Sequence, residues 1–141
     1  MNKRPILLVE DNPGDEAFAL RAFKISNIAN PVIVARDGQE AVDYLFDPGK
    51  DLPAFILLDL KLPKISGLEV LKRVRADART KLIPVIILTS STHDADLRES
   101  YGLGGNSYII KSVDLDRFTK EIGVLVSYWL GVNTSPPPSA N

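Results

Sequence analysis

The chain has 141 residues, 45% hydrophobic and 25% charged, with 17 Lys and Arg against 18 Asp and Glu for a net charge of -1. That size predicts one domain whose core needs no disulfide or zinc, and the charge balance gives no electrostatic reason for a nucleic acid or anionic membrane partner. The absence of cysteine excludes disulfides, thiol nucleophiles and zinc–thiolate sites, the single histidine, His93, excludes a His-rich metal site, and no apolar run approaches the ~20 residues of a membrane helix.

The first apolar run, Ile6–Val9, reads as a strand and stops at Glu10-Asp11, too soon for a signal peptide; a cytosolic protein is expected. Asn12-Pro13 then spells a helix start, an Asn cap with Pro in the first turn. Phe18, Ala22 and Ile25, with Ala19 and Phe23, are its expected apolar face. Val32–Ala35 reads as the second strand, followed by a helix from Asp37 carrying Ala41, Val42, Leu45 and Phe46. Ala54–Leu58 is the third strand, and Ser66 with Glu69 three residues on spells a capping box for a helix with the stripe Leu68, Leu71, Val74. Val85–Leu88 is the fourth strand. A weakly marked helix over about 94–101 follows, capped by one of Ser90, Ser91 or Thr92 and ending in Gly102, Gly104 and Gly105. Ser107–Ile110 is the fifth strand. The last helix follows Asp114 with Leu115, Phe118, Ile122, Leu125, Val126 and Trp129, and Gly131 is its expected stop. Residues 132–141 are Pro-rich and predict a flexible tail.

Strand and helix alternate five times, and little alternation within three of the runs suits strands buried on both faces. The expected fold is α/β, a flavodoxin-like (βα)5 three-layer sandwich with parallel strand order 2-1-3-4-5. In such a sheet the reactive crevice lies past the carboxyl ends of the strands. Those ends carry Glu10-Asp11, Asp59, Thr89-Ser90 and Lys111. With the first and third strands adjacent, Glu10, Asp11 and Asp59 converge. Two carboxylates about 5 Å apart repel by roughly 3 kcal/mol at an effective dielectric of about 20. Such a group raises its members' pKa values or recruits a cation; a hard ion is favoured, Mg2+ first, and a carbonyl from the loop 60–63 can complete its ligands. Thr89 and Lys111 are then the hydroxyl and ammonium that hold phosphoryl oxygens, and Asp59 is a carboxylate placed to accept a phosphoryl group.

The fragments LLVEDNP (7–13), LLDLKLPKISGLEVL (57–71), VIILTSS (85–91) and SYIIK (107–111) resemble the receiver domain of bacterial response regulators. The resemblance covers about residues 5–131, the expected receiver domain. RDGQEAVDYLF, LGGNSY and VDLDRF resemble the single-domain regulators paired with bacterial phytochrome histidine kinases. The resemblance implies that Asp59 is phosphorylated by a sensor histidine kinase in a Mg2+-dependent reaction. It implies Asp11 and Asp59 as direct metal ligands, Glu10 acting through water, and the Lys61 backbone carbonyl as a further ligand. Thr89 is the switch hydroxyl, Tyr108 the switch aromatic and Lys111 the phosphate-binding lysine. The response is a changed shape of the helix-four, strand-five, helix-five face, and the protein is a signalling phosphoacceptor rather than an enzyme. One departure stands out: the family usually has a cis proline after the lysine, and here Ser112 follows Lys111.

No output domain is visible after the last helix, so the signal is expected to leave by protein contact or through a phosphotransfer protein. Val124, Leu125, Val126, Tyr128, Trp129 and Leu130 give that helix more apolar surface than one buried stripe requires, which predicts a homodimer through the same face. Competing readings are a phosphorylation-independent receiver-like module, a flavodoxin-like flavin binder and a phosphatase with a nucleophilic aspartate. Glu10-Asp11 would repel a flavin phosphate, and Lys61 stands where such a phosphatase needs its second acid. His93 is given no chemistry, Trp129 is read as packing, and Asp94, Asp96, Asp114 and Asp116 are read as helix-start or surface charges.

Overall fold

The computed structural model describes residues 3–137 and turns every apolar run into a strand of one sheet. The elements are β1 (Ile6–Val9), α1 (Pro13–Ile25), β2 (Val32–Ala35), α2 (Gly38–Leu45), β3 (Phe55–Leu58), α3 (Gly67–Ala76), β4 (Val85–Thr89), α4 (Asp94–Gly102), β5 (Ser107–Ile110) and α5 (Leu115–Ser127). The strands are parallel in the order β2-β1-β3-β4-β5, as expected. β3 starts one residue later, and β4 ends one residue later, than the apolar runs imply.

The three central strands are buried along their whole length, whereas the edge strands β2 and β5 are half-buried. Alternate residues serve two cores. Ile6, Leu8, Phe55, Leu57, Ile86 and Leu88 pack with Phe23 of α1 and with Phe118, Ile122 and Leu125 of α5. Leu7, Val9, Ile56, Leu58, Val85 and Ile87 pack with Ala41 and Leu45 of α2 and with Val70, Leu71 and Val74 of α3. Each central strand therefore needs apolar side chains in both registers, which is why its sequence does not alternate.

Four helix starts carry side-chain caps: Asn12 accepts from the Asp15 amide and Ser66 from Glu69, as expected, while Asp37 accepts from Glu40 and Asp114 from Asp116 and Arg117. Other details differ from the sequence reading. In α1 the buried stripe is Ala19, Ala22 and Phe23, while Phe18 and Ile25, seven residues apart on one face, lie about a hundred degrees from the centre of that stripe and face solvent. In α3, Val70 joins Leu71 and Val74 in the core and Leu68 is only half-buried. None of Ser90, Ser91 or Thr92 caps α4; His93 holds that position and gives no side-chain hydrogen bond. The last helix does not stop at Gly131. After Ser127 it widens into a π-helical turn, Tyr128–Val132, and the extended backbone of Asn133 ends it. No regular element follows between Asn133 and Pro137, and residues 138–141 of the expected tail lie outside the described residues.

Gly67 sets the distance between α3 and the end of β3. A Cβ there would sit 2.1 Å from the Asp59 carbonyl oxygen, so only glycine lets the helix start against this loop. Gly104 has φ +97, a left-handed conformation, directly against the Arg75 side chain. Arg75 in turn donates to the carbonyls of Gly104 and Ile83 at 2.9 and 2.7 Å, tying α3 to the chain on both sides of α4. No helix among the described residues is long and apolar enough to cross a membrane.

Candidate functional site

The parallel ladder continues one residue past three strand ends and places the functional side chains. The Glu10 amide donates to the Ala35 carbonyl at 2.9 Å, Asp59 to Val9 at 3.1 Å and Lys111 to Thr89 at 2.8 Å. Each residue is thereby fixed at strand spacing from its neighbour before any side-chain contact forms. Among the described residues no peptide bond is cis, so Lys111–Ser112 is trans, and the lysine still reaches the acidic cluster.

Carboxylate oxygens of Glu10, Asp11 and Asp59 all lie within 4.8 Å of one another. The Lys111 ammonium donates to Glu10 Oε1, Asp15 Oδ2 and Asp59 Oδ2, each at 2.8 Å. Asp59 Oδ1 accepts from the Lys61 amide at 3.3 Å, and Glu10 Oε2 from the Asn12 amide at 3.2 Å. Glu10 and Asp59 are buried, and Asp11 is exposed. Asp11, Asn12, Asp15, Asp59, Lys61, Ser90 and Lys111 line an open pocket of about 410 Å³.

Burial pushes the Glu10 carboxyl up to about 7; the Lys111 hydrogen bond opposes the rise and the Asp59 charge adds to it. Burial disfavours the Lys111 ammonium, but hydrogen bonds to Asp15, Asp59 and Glu10 outweigh it and raise the group above its ordinary value. One cation thus holds together acids that would otherwise repel by about 3 kcal/mol per pair. The donor set is all oxygen, which selects a hard ion over a soft one. Oxygens of Glu10, Asp11 and Asp59 lie close enough together to hold a hard divalent ion, directly or through its waters.

Thr89 and Tyr108 stand apart from this cluster. Thr89 is fully buried at the end of β4, and its Oγ1 accepts from the Ser91 amide at 3.4 Å. Tyr108 is half-buried and its hydroxyl donates to the Ser91 carbonyl at 3.0 Å. Burial raises the Tyr108 phenol above its ordinary value, with the Ser91 hydrogen bond opposing. The Ser91 hydroxyl also hydrogen bonds to Asp96, which is therefore more than a surface charge.

Two participants escaped the sequence reading. Asp15 was given no role; its spacing after the Asn12 cap, which turns the first helical turn toward Glu10-Asp11, was the available signal, although an acid there also complements the helix N-terminus. The Ser91–Asp96 pair spans a loop and a helix start, and no periodicity announces it.

The chain matches the family model of the response regulator receiver domain over residues 6–123. It is 42% identical over 137 residues to the probable methanogenesis regulatory protein FilR2 of Methanothrix harundinacea, covering 95% of this chain and 88% of that protein. It is 38% identical over 135 residues to response regulator Rcp1 of Synechocystis sp., covering 93% of this chain and 92% of Rcp1. The Mn(2+)-bound crystal structure of Rcp1 superposes with a TM-score of 0.88 over 95% of this chain and 99% of that one. The phosphorylated cyanobacterial phytochrome response regulator RcpA superposes with a TM-score of 0.91 at 36% identity, over 96% of this chain and 100% of that one.

Proposed function

This chain belongs to the response regulator receiver family, a family of signalling proteins, and on that premise we propose that Asp59 is its phosphoacceptor, with Lys111 and Thr89 holding the phosphoryl oxygens. The observation that carries the assignment is the contact of the Lys111 ammonium with Asp59 Oδ2 at 2.8 Å, inside a group of acids drawn from separate strand ends. Lysine at this place marks where a transferred dianion would sit.

The donor is a phosphohistidine on a sensor histidine kinase. An Asp59 oxygen attacks phosphorus, the P–N bond breaks, its electron pair leaves with the imidazole, and an acyl phosphate forms. We assign Asp11, Asp59 and the Lys61 carbonyl as ligands of a divalent ion, Mg2+, with Glu10 holding one of its waters. The ion would supply positive charge to the phosphoryl oxygens. The chain's own part is to orient Asp59 through the Lys61 amide and to keep the ammonium within reach. Similarity to a Mn(2+)-bound relative and to a phosphorylated one supports both assignments.

Phosphorylation would replace the Asp59 charge by near two negative charges and three acceptor oxygens. Thr89 is the hydroxyl one strand away that can turn toward them, leaving Ser91. Tyr108 shares Ser91 as a partner, so the two movements are linked through one residue. The face of α4, β5 and α5 carries the exposed Tyr101, Ile110, Val124 and Tyr128, and we assign it as the homodimer and output surface. We take 5–131 as the receiver domain. The kinase to test first is of phytochrome type, given the similarity to RcpA; a phosphotransfer protein is the onward partner to test.

Incubation with Mg2+ and acetyl phosphate, followed by intact mass, tests the assignment. A gain of one phosphoryl group, absent in Asp59→Asn and absent with chelator, is expected. An unmodified wild-type chain at saturating Mg2+ would contradict it.

A further inference from the structure

Lys111 has three N–H donors and spends them on Glu10, Asp15 and Asp59. These acids are not equivalent. The oxygens of Glu10 and Asp59 group with Asp11 within 4.8 Å, and Asp15 is outside that group. An ion held by Asp11 and Asp59, with a water on Glu10, would draw on Glu10 and Asp59 and leave Asp15 to the ammonium. Asp15 is well built for that duty. Its own amide donates to Asn12 Oδ1 at 3.0 Å, which fixes the first turn of α1 to the loop carrying Glu10 and Asp11. Its carboxylate lies in the pocket wall at 36% exposure, where a substrate can still pass. The neighbouring acid, Glu16, cannot replace it, because Glu16 is bound to Arg36 at 2.9 Å.

We propose that Asp15 is a positioning residue for Lys111, holding the ammonium over the acceptor once the other two acids turn to the ion, and so setting the rate of phosphoryl transfer to Asp59. The inference rests on the phosphoacceptor reading given above. A long lysine stem without this tether would sample several rotamers, and only some would place an N–H on an incoming phosphoryl oxygen. The same carboxylate repels an anionic donor, so its removal weakens positioning without weakening donor encounter.

The test compares wild type, Asp15→Asn and Asp15→Glu in the full chain. Phosphorylation rates with acetyl phosphate at saturating Mg2+ are set beside Mg2+ dissociation constants from calorimetry. Asp15→Asn is expected to slow phosphorylation about tenfold while the Mg2+ constant stays within about twofold, and Asp15→Glu to restore the rate to within about threefold. A wild-type rate in Asp15→Asn overturns the inference. So does a loss of rate matched by an equal loss of Mg2+ affinity, which would place Asp15 at the ion. A wild-type chain that binds Mg2+ but takes no phosphoryl group overturns the phosphoacceptor reading itself, and this inference with it.

Discussion

The two halves of the crevice are built to different standards. On the side of β1 and β3, the acids are set by ladder hydrogen bonds, clamped by one lysine and backed by α3. That helix has a capped start at Ser66 and buries Gly67, Val70, Leu71 and Val74. On the side of β4 and β5, Thr89 and Tyr108 share one residue, Ser91. The adjoining α4 has no side-chain cap, and Ser100 is its one buried residue, with a hydroxyl that finds no partner among the described residues. The difference matches a division of labour. Chemistry needs groups held in place, and a transmitted signal needs an element near the low end of local stability.

The largest effect that would break this comparison is at the lysine. Lys111→Ala removes the only cation bonded to the Glu10, Asp15 and Asp59 cluster among the described contacts, and phosphorylation by acetyl phosphate should fall about 100-fold or more. A fall of only a few fold in the same rate assay would mean that the clamped half is not the reactive one.

The next effect is on pH. Glu10 keeps its proton up to about 7, above its ordinary 4.5, because it is buried. Divalent-ion binding needs the carboxylate, so affinity should drop about tenfold for each unit of pH below that value, read by calorimetry. The sign for the ion-free protein is opposite. The folded chain holds this proton more tightly than the unfolded one, so the Glu10 contribution to stability is full below 4.5 and is lost as pH rises through about 7. Urea unfolding at several pH values checks that direction.

Smaller effects sharpen the contrast between the helices. Ser66→Ala should cost about 1 kcal/mol by removing the cap of α3, whereas His93→Ala at the start of α4 should stay within about 0.5 kcal/mol. Amide exchange over 94–102 should run faster than over 67–76, and equal protection would erase the proposed difference. Smallest of all, Ser100→Ala removes a buried hydroxyl without a partner and should be neutral or slightly stabilising by thermal melt.

The strand ends were the legible part of the crevice. Runs such as Phe55–Leu58 declare themselves because both faces of a central strand must be apolar, and the residue after each run then falls at the crevice by geometry alone. Glu10, Asp11, Asp59, Thr89 and Lys111 follow from that rule. Asp15 did not, because an acid in a first helical turn already has an electrostatic reason to be there. The Ser91–Asp96 bond and the uncapped α4 were hidden for a different cause: loop contacts have no period, and three hydroxyl residues in a row look like caps whether or not one of them serves. Phe18 and Ile25 were misplaced because they share a stripe with each other but not with the residues that touch the sheet. Gly131 looked like a stop, yet glycine also fits the wider turn that continues to Val132.

The residue that receives the phosphoryl group is the most direct test of the crevice chemistry. Borohydride reduction of the phosphorylated chain converts an acyl phosphate to a primary alcohol, homoserine at an aspartate, and peptide mass spectrometry then locates it. Conversion at Asp59 alone, lost when Mg2+ is chelated, is the predicted result. Conversion at Glu10, Asp11 or Asp15, or a phosphoryl group that survives borohydride on a hydroxyl side chain, would contradict it.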